Sequence, residues 1–354
     1  MDEPEQRISG LDSAPSSWAA RGLQLLLGLF LGFLVLEASL QVAVRTDAPA
    51  FLSNPEAYAH PLCDEWYWRT RAAQASPTPS LRLHPRLGWT REEGPSPGDG
   101  VWVPNPGVDG AAVVMLGDSF IAGTSVRRHR IASLVQEMLV AEGYPARVED
   151  LSVGGFGLGQ VLLRLEMRAE TLDKGTPVVI GLLTTDIDRA ILSVRDAPKP
   201  RLEQTAKDGL VVHADHLMKP VQRPAFKLLS WARWRRYWDG VEASAVGLAH
   251  PECRVEEKKV LARALLGRMA QTCTKHSLRC LVLPMLRQED LARPLGWRED
   301  LLTRHAEAVG LQVVSLRSRL EATQAPLFRE DRHPSADQNK LIAEAITAWI
   351  ADAS

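Results

Sequence analysis

The segment AAVVMLGDSF, residues 111–120, decides the fold, because six apolar residues run directly into Gly117, Asp118 and Ser119. A short continuous apolar run that ends in such residues is typical of a buried strand followed by a turn into a helix. In open α/β sheets, ligands bind at the carboxyl ends of the strands, so Ser119 is expected where a reactive group can meet a ligand. Gly-Asp-Ser alone is a weak signal, since it also serves as an ordinary turn with a helix cap.

Downstream of this strand, apolar runs alternate with helical patterns. Strands rich in Val, Leu and Ile that alternate with helices predict a parallel sheet covered on both faces. We therefore expect an α/β protein with a three-layer α/β/α, flavodoxin-like sheet of about five parallel strands. The predicted strands are 111–116, 147–151, 178–183, 280–283 and 312–314. The predicted helices are 131–142, 158–172, 256–276, 301–309 and 335–351.

Four glycines follow the second predicted strand, in the stretch DLSVGGFGLGQ at residues 150–160. Glycines let a loop backbone approach a substrate closely and leave its N–H groups unhindered. A dinucleotide-binding fingerprint is the competing interpretation. It fails in context, because the loop follows the second strand and no acid ends a suitably placed later strand.

The stretch EDRHPS, residues 330–335, precedes the predicted helix 335–351. An acid two residues before a histidine can orient the imidazole and stabilise its protonated form. The histidine then takes a proton from a serine that the fold brings near. Asp331 and His333 have this spacing. If the acid instead stands three residues before the histidine, Glu330 is the candidate.

The order of serine turn, glycine loop and acid-histidine pair resembles the SGNH hydrolases, also called the GDSL-like family, over about residues 110–354. The resemblance implies a serine esterase or acyltransferase that needs neither cofactor nor metal. Ser119 is then the nucleophile, with His333 as its base and Asp331 as the acid that holds the base. Gly155 matches the oxyanion-hole glycine, which acts beside the backbone N–H of Ser119. The implied substrate is an acyl ester on an envelope polysaccharide, peptidoglycan or lipid, which includes esters of a glycan.

The sequence departs from the family's pattern in two blocks. Thr185 stands where the family usually has an Asn whose amide completes the oxyanion hole, and Asp150 replaces an Asn in the glycine block. A threonine hydroxyl donates one hydrogen bond from a shorter arm, and losing an oxyanion donor costs about 100- to 1,000-fold in turnover. The alternative function is therefore a catalytically weak or inactive glycan-binding or assembly factor on the same fold.

A membrane helix is predicted near the N-terminus. The 23 residues between Arg21 and Arg45 contain no Lys, Arg or Asp and a single acid, Glu37. A bilayer-spanning helix needs about 20 residues, so we expect a transmembrane anchor over 22–44 that contacts the lipid bilayer. A cleaved signal peptide is less consistent with the acids that precede the apolar run. Two basic residues, Arg7 and Arg21, precede the apolar span, whereas the twenty residues after Arg45 contain none. Because positive charge favours the cytoplasmic side, we expect a short cytoplasmic tail at 1–21 and an extracytoplasmic catalytic domain, periplasmic in a Gram-negative cell.

The remaining domain organisation follows from composition. Residues 45–107 form a Pro/Trp-rich linker region with an ordered island at 84–89, and 108–354 form the hydrolase-like domain. An insertion at about 195–250 interrupts the alternation of strands and helices. It is predicted to contain a hairpin at 201–216 and an aromatic-basic helix whose Trp residues share one face, namely Trp231, Trp234 and Trp238.

Composition and cysteine spacing exclude several classes of protein. Lys and Arg number 42 against 43 Asp and Glu, so the chain lacks the basic excess that nucleic-acid binding requires. The 4 cysteines contain no CxxC pair for zinc or redox chemistry. In an oxidising compartment Cys273 could pair with Cys280, with free thiols as an equal alternative. Cys63 could likewise pair with Cys253, and His213 with His216 would make a poor metal site.

Overall fold

The computed structural model describes a subset of the 354 residues. The described residues are 17–45, 81–91, 111–123, 127–144, 146–192, 198–207, 209–214, 217 and 254–352. Several predicted features lie outside them: the aromatic-basic helix with Trp231, Trp234 and Trp238, the pair Cys63 and Cys253, and His216.

The described elements are numbered in chain order. The strands are β1 (Leu81–His84), β2 (Gly88–Arg91), β3 (Ala111–Leu116), β4 (Ala146–Asp150), β5 (Pro177–Leu183), β6 (Arg201–Thr205), β7 (Gly209–His213), β8 (Arg279–Met285) and β9 (Gln312–Val313). The helices are α1 (Ser17–Arg45), α2 (Ser119–Ala122), α3 (Ile131–Ala141), α4 (Leu158–Ala169), α5 (Asp186–Arg189), α6 (Val255–Lys275), α7 (Gln288–Leu291), α8 (Trp297–Asp300), α9 (Ala306–Ala308), α10 (Arg317–Glu321) and α11 (Ala336–Ala351).

A sheet of five parallel strands forms the centre of the α/β domain, in the order β4-β3-β5-β8-β9. Numbered within the sheet alone, this order is 2-1-3-4-5, the flavodoxin-like arrangement. The predicted α/β class with five parallel strands is therefore confirmed. After β3, the chain adds β4 on one side of it and then β5 on the other side. The loops after β3, β4 and β5 therefore meet at the carboxyl edge of the sheet.

The two faces of the sheet carry separate apolar clusters, because successive strand residues point to opposite sides. In β3, Val114 and Leu116 pack with α4 and α6, whereas Val113 and Met115 pack with α3 and α11. All four side chains are at most 2% exposed. Burying a side chain of this size stabilises the fold by about 1.5–3 kcal/mol, so the three layers follow from the apolar strand sequences.

The region predicted as one helix over 301–309 has a different form. It starts earlier, at α8, and continues through a π-helical segment, Leu301–His305, into α9. The hydroxyl of Thr303 donates to the carbonyl oxygens of Glu299 at 2.9 Å and Asp300 at 3.2 Å. Such back-bonding competes with the regular helical pattern, which periodicity alone does not reveal.

Two antiparallel hairpins accompany the sheet. Strands β1 and β2 pair across the predicted island 84–89, and β6 pairs with β7 inside the predicted insertion. The hairpin predicted at 201–216 is thus present, with Thr205 opposite Gly209. Cys273 at the end of α6 and Cys280 at the start of β8 form a disulfide, which is one of the two alternatives that the sequence left open.

Helix α1 contains a span, Ala20–Ser39, with mean hydropathy 1.8 over 20 residues, of which 6% is buried. It is long and apolar enough to cross a membrane, and its exposure distinguishes it from the core helix of a soluble domain. Its length, composition and position fit a membrane anchor and also a signal sequence.

Candidate active site

Ser119 is the first residue of α2 and directly follows the turn at the end of β3. The carboxylate of Asp118 caps this short helix, accepting from the N–H of Phe120 at 2.8 Å. Two glycines allow α2 to lie against the sheet: a Cβ on Gly117 would be 2.7 Å from Ile121 Cγ1, and one on Gly181 would be 2.2 Å from the same atom. The half-buried hydroxyl of Ser119 is thereby held at the carboxyl edge of the sheet.

A buried ion network lies next to the serine turn. Arg189 Nη1 contacts Asp118 Oδ2 at 3.0 Å and Asp186 Oδ1 at 2.7 Å, and both acids are fully buried. The same nitrogen donates to the carbonyl oxygen of Phe156 at 3.1 Å. One cation therefore joins the loops after β3, β4 and β5.

The glycine loop runs alongside the serine turn. Beyond β4, the N–H of Val153 donates to the carbonyl oxygen of Gly117 at 3.1 Å, which extends the pairing with β3. A Cβ on Gly154 would be 3.8 Å from Ser119 Cβ. Gly155 follows with φ +81°, in the left-handed region that favours glycine. The predicted oxyanion glycine, Gly155, is thus one residue from the glycine that packs on the serine.

Two backbone N–H groups at this point are available to a ligand. Within the part of the chain that the structure describes, no group accepts a hydrogen bond from the N–H of Ser119 or of Gly155. Backbone donors next to a nucleophile are the usual means of stabilising a developing oxyanion.

His333 reaches Ser119 from a position 214 residues later in the chain, with 3.0 Å between its Nε2 and the serine Oγ. A tight turn before α11 holds the histidine, since its carbonyl oxygen accepts from the N–H of Arg329 at 2.9 Å. Its ring also lies 5.4 Å from the ring of Phe120. The structure therefore brings together the serine and histidine that the sequence selected.

Asp331 is the acid that contacts His333. Its Oδ1 accepts from the backbone N–H of His333 at 3.1 Å and lies 3.5 Å from the ring Nδ1. The second distance is at the limit of hydrogen bonding, and Nδ1 is buried without a well-formed hydrogen bond to any described residue. Hydrogen bonds of catalytic groups are often long before substrate binds and shorten in the complex.

The surroundings of Asp331 keep its carboxylate charged. Partial desolvation acts to raise the pKa of the Asp331 carboxyl. The hydrogen bond from the N–H of His333 and the positive charges of His333 and Arg329 together lower it by more, so the pKa lies below its ordinary value. Glu330, the alternative acid, is exposed and makes no hydrogen bond or ion pair with the described residues.

Thr185 lies at the carboxyl end of β5, next to β3, and precedes α5. It is half-buried and makes no hydrogen bond to Ser119 or His333. Its neighbour Thr184 has a different environment, since its hydroxyl donates to Asp290 Oδ2 at 2.7 Å. The two threonines therefore differ: Thr184 is hydrogen-bonded to α7, and Thr185 lies at the edge of the site without that bond.

Metal ligands are not grouped in the described ranges. No set of three or more His, Cys, Asp or Glu side chains in these ranges is placed to hold a metal ion. His213 lies 3.6 Å from Glu203 across the β6–β7 hairpin, with Nε2 and Oε2 as the closest atoms.

Sequence reasoning missed two parts of the site. The spacing of Asp186 and Arg189 indicates a local ion pair, but nothing in the sequence connects Arg189 with Asp118. The sequence predicts an ordered island at 84–89 but does not predict its contact with the glycine loop. In the structure, Trp89 Nε1 donates to the Gly154 carbonyl oxygen at 3.2 Å.

No protein-family model and no curated protein matches the sequence. Solved structures similar to the chain include the lipase/acylhydrolase from Enterococcus faecalis, with 16% identity and a TM-score of 0.41, covering 68% of this chain and 95% of that chain. TesA has 17% identity and a TM-score of 0.39, with 67% and 96% covered. AlinE4, an SGNH-hydrolase family esterase, has 14% identity and a TM-score of 0.37, with 69% and 97% covered. About a third of this chain has no counterpart in these three structures.

Proposed function

We propose that the chain is a serine esterase or O-acyltransferase that works through an acyl-enzyme on Ser119. The observation that carries this proposal is the 3.0 Å contact between Ser119 Oγ and His333 Nε2 at the carboxyl edge of the sheet. A nucleophile within hydrogen-bond reach of a base, which an acid in turn orients, is the arrangement that activates a serine hydroxyl.

The reaction proceeds in two halves. His333 Nε2 accepts the Ser119 hydroxyl proton while Oγ bonds to the ester carbonyl carbon, giving a tetrahedral intermediate. The imidazolium, held by Asp331, then gives that proton to the leaving alcohol oxygen as the carbon–oxygen bond breaks. In the second half, His333 takes a proton from water or from an acceptor hydroxyl, whose oxygen bonds to the acyl carbon. The carbon–Oγ bond then breaks, and His333 returns the proton to Oγ, which restores the Ser119 hydroxyl and releases the acid or the new ester.

Three donors stabilise the oxyanion in this proposal: the N–H groups of Ser119 and Gly155 and the hydroxyl of Thr185. The free state of the two N–H groups among the described residues and the half-buried position of Thr185 support this assignment. Donors aimed at developing charge in a partly dry site typically contribute the largest share of rate acceleration.

The proposed substrate is an acyl ester on an envelope polysaccharide, peptidoglycan or lipid, and the proposed location is extracytoplasmic, with α1 as the membrane anchor. Two features support the location: the apolar span Ala20–Ser39 and the disulfide between Cys273 and Cys280. Disulfides persist mainly in oxidising compartments. Alkaline phosphatase fused after residue 352 is expected to be active in cells, and an inactive fusion would place the domain in the cytoplasm.

The activity is tested by treating the full-length chain, in detergent micelles, with a fluorophosphonate and measuring intact mass. Wild type is expected to gain one adduct, and Ser119→Ala and His333→Ala to gain none. Ser318→Ala, which removes an exposed hydroxyl on α10, is the matched control and keeps the adduct. A folded wild-type protein that gains no adduct would overturn the esterase proposal and favour the glycan-binding alternative, which the replacement of the family's Asn by Thr185 suggests.

A further inference from the structure

The hairpin β1–β2 precedes the sheet in sequence but packs on the glycine loop beside Ser119. Leu87 and Trp89 are at most 1% exposed and belong to the same apolar cluster as Phe156 and Leu158. The rings of Trp89 and Phe156 meet edge to face, with centroids 5.8 Å apart. Hence the ordered island predicted at 84–89 forms part of the wall behind the glycine loop.

Hydrogen bonds join the hairpin to both ends of this loop. At one end, the indole N–H of Trp89 donates to the Gly154 carbonyl oxygen at 3.2 Å. At the other, Gln160 Nε2 donates to the Leu87 carbonyl oxygen at 2.8 Å, and its Oε1 accepts from the N–H of Gly157 at 3.2 Å. The loop is therefore held from outside the sheet at two points.

The turn of the hairpin packs closely against a second backbone segment. Gly88 has φ +85°, and a Cβ there would lie 2.2 Å from the carbonyl oxygen of Pro198. The segment 198–199 thus lies directly against the hairpin turn. Lys199 is 1% exposed and donates to the Arg189 carbonyl oxygen at 2.7 Å, which connects this segment to the ion network under Ser119.

The contact with Gly154 matters because of peptide geometry. The carbonyl oxygen of Gly154 and the N–H of Gly155 belong to one planar peptide unit, and in a trans peptide they point in opposite directions. The described residues contain no cis peptide bond. A donor that fixes the Gly154 carbonyl on the hairpin side consequently directs the Gly155 N–H away from the hairpin. Hydrogen bonding to the carbonyl also polarises the amide and strengthens its N–H as a donor.

We propose that Trp89 is a positioning residue for the oxyanion hole, acting through the Gly154–Gly155 peptide. It touches neither substrate nor Ser119 and acts by orienting the Gly155 N–H toward the developing oxyanion. The proposal rests on the proposed esterase function for its catalytic consequence. The positioning itself concerns the folded chain alone and can be measured without turnover.

The test compares Trp89→Phe with Trp349→Phe in the full-length chain. Trp89→Phe keeps an aromatic ring against Phe156 and removes the indole N–H. Trp349→Phe is the matched control, because the Trp349 indole also donates one hydrogen bond, to Oε1 of Gln312 in the edge strand β9 at 2.7 Å. The readouts are amide hydrogen exchange, the rate of fluorophosphonate inactivation, and kcat and KM on a p-nitrophenyl ester.

Trp89→Phe is expected to speed amide exchange at Val153, Phe156 and Gly157, and to leave the exchange rates in β5 unchanged. The N–H groups of these three residues donate within the loop, to Gln160 or to Gly117. Loss of one orienting hydrogen bond is expected to lower the inactivation rate and kcat by about tenfold, with KM within about twofold. Trp349→Phe is expected to change none of these quantities.

Three results would overturn the proposal. Exchange in the loop could stay unchanged, exchange could rise equally in the loop and in β5, or kcat and KM could change together. The second result would assign Trp89 a general packing role. If wild type does not react with the fluorophosphonate, the esterase proposal fails, while the exchange comparison still decides whether Trp89 positions the loop.

Discussion

The guanidinium of Arg189 lies 3.0 Å from the carboxylate of Asp118, although 71 positions separate the two residues in the chain. Asp118 is fully buried and caps the helix that starts at Ser119, so this ion pair sits directly behind the proposed nucleophile. Arg189 therefore holds the aspartate that caps the serine turn.

Arg189→Met is expected to destabilise the fold. It leaves the buried carboxylates of Asp118 and Asp186 without their cation, and breaking a buried pair costs about 3–5 kcal/mol. Arg304→Met is the matched control, since Arg304 pairs with Asp300 at the surface with a 75% exposed side chain. Exposed pairs contribute about 0–1 kcal/mol. Urea unfolding of both variants measures the difference, and equal midpoints would contradict a role for Arg189 in holding the network.

The two adjacent threonines are expected to respond in opposite ways to substitution by Val. Thr185→Val removes the proposed oxyanion donor and is expected to lower kcat by about 100-fold at constant stability. Thr184→Val removes the donor to Asp290 and is expected to lower unfolding free energy by about 1–3 kcal/mol at nearly constant kcat. Ester turnover and thermal unfolding of both variants separate the roles. A kcat unchanged in Thr185→Val would exclude its hydroxyl from the oxyanion hole.

Asp331 and Glu330 form a matched pair of acids. Asp331→Asn is expected to lower kcat by about 10²- to 10⁴-fold, because the imidazole of His333 loses the charge that orients and stabilises it. Glu330→Gln changes an exposed neighbour without a described partner and is expected to retain turnover. Steady-state ester hydrolysis decides between the two acids, and the reverse outcome would move the role to Glu330.

The lowered pKa of Asp331 predicts a pH effect on stability. A carboxyl whose pKa is lower in the folded than in the unfolded chain stabilises the fold fully above its ordinary pKa of about 3.9. This contribution is lost as the pH falls through the folded-state pKa. The difference in Tm between wild type and Asp331→Asn is therefore expected to shrink from about pH 5 to about pH 3. A difference independent of pH would show that Asp331 is not stabilised by its contacts with His333 and Arg329.

Gly181 is expected to tolerate no side chain, because its Cβ would lie 2.2 Å from Ile121 Cγ1. Gly181→Ala should destabilise the fold by about 1–3 kcal/mol through overpacking. Truncating the neighbour, in Gly181→Ala/Ile121→Ala, is expected to cost less than the sum of the single changes. Gly267→Ala is the control, since a Cβ there meets nothing within 4 Å and lies inside α6. Gly267→Ala should stabilise the helix by up to about 1 kcal/mol. Thermal unfolding compares Gly181→Ala, Ile121→Ala, the double variant and Gly267→Ala.

The sheet was predictable because its three central strands, β3, β5 and β8, are nearly continuous apolar runs. The five predicted strands differ from β3, β4, β5, β8 and β9 only at their ends. The turn after the first apolar strand predicted Ser119 at the carboxyl edge of the sheet, because ligands of open α/β sheets bind there. The pairing of Ser119 with His333 followed from the resemblance of the serine turn, glycine loop and acid–histidine pair to the SGNH hydrolases, and not from local signals.

Long-range polar contacts were not predictable. The partnership of Asp118 with Arg189, and of Trp89 with the Gly154 carbonyl 65 positions away, depends on how helices and hairpins dock. No periodicity or local spacing encodes such a pair. The π-helical segment Leu301–His305 was also not predictable, since the apolar pattern of 301–309 is that of a regular helix.

The separation of 214 residues between Ser119 and His333 has a consequence for biosynthesis. A nascent chain completed to residue 330 already contains all five strands of the sheet and the nucleophile, but it lacks the base. His333 lies just before α11, which packs on the sheet through Ile342, Ile346 and Ile350. Under the proposed mechanism, ester cleavage cannot begin until the last segment of the chain has been synthesised and has brought its base beside Ser119.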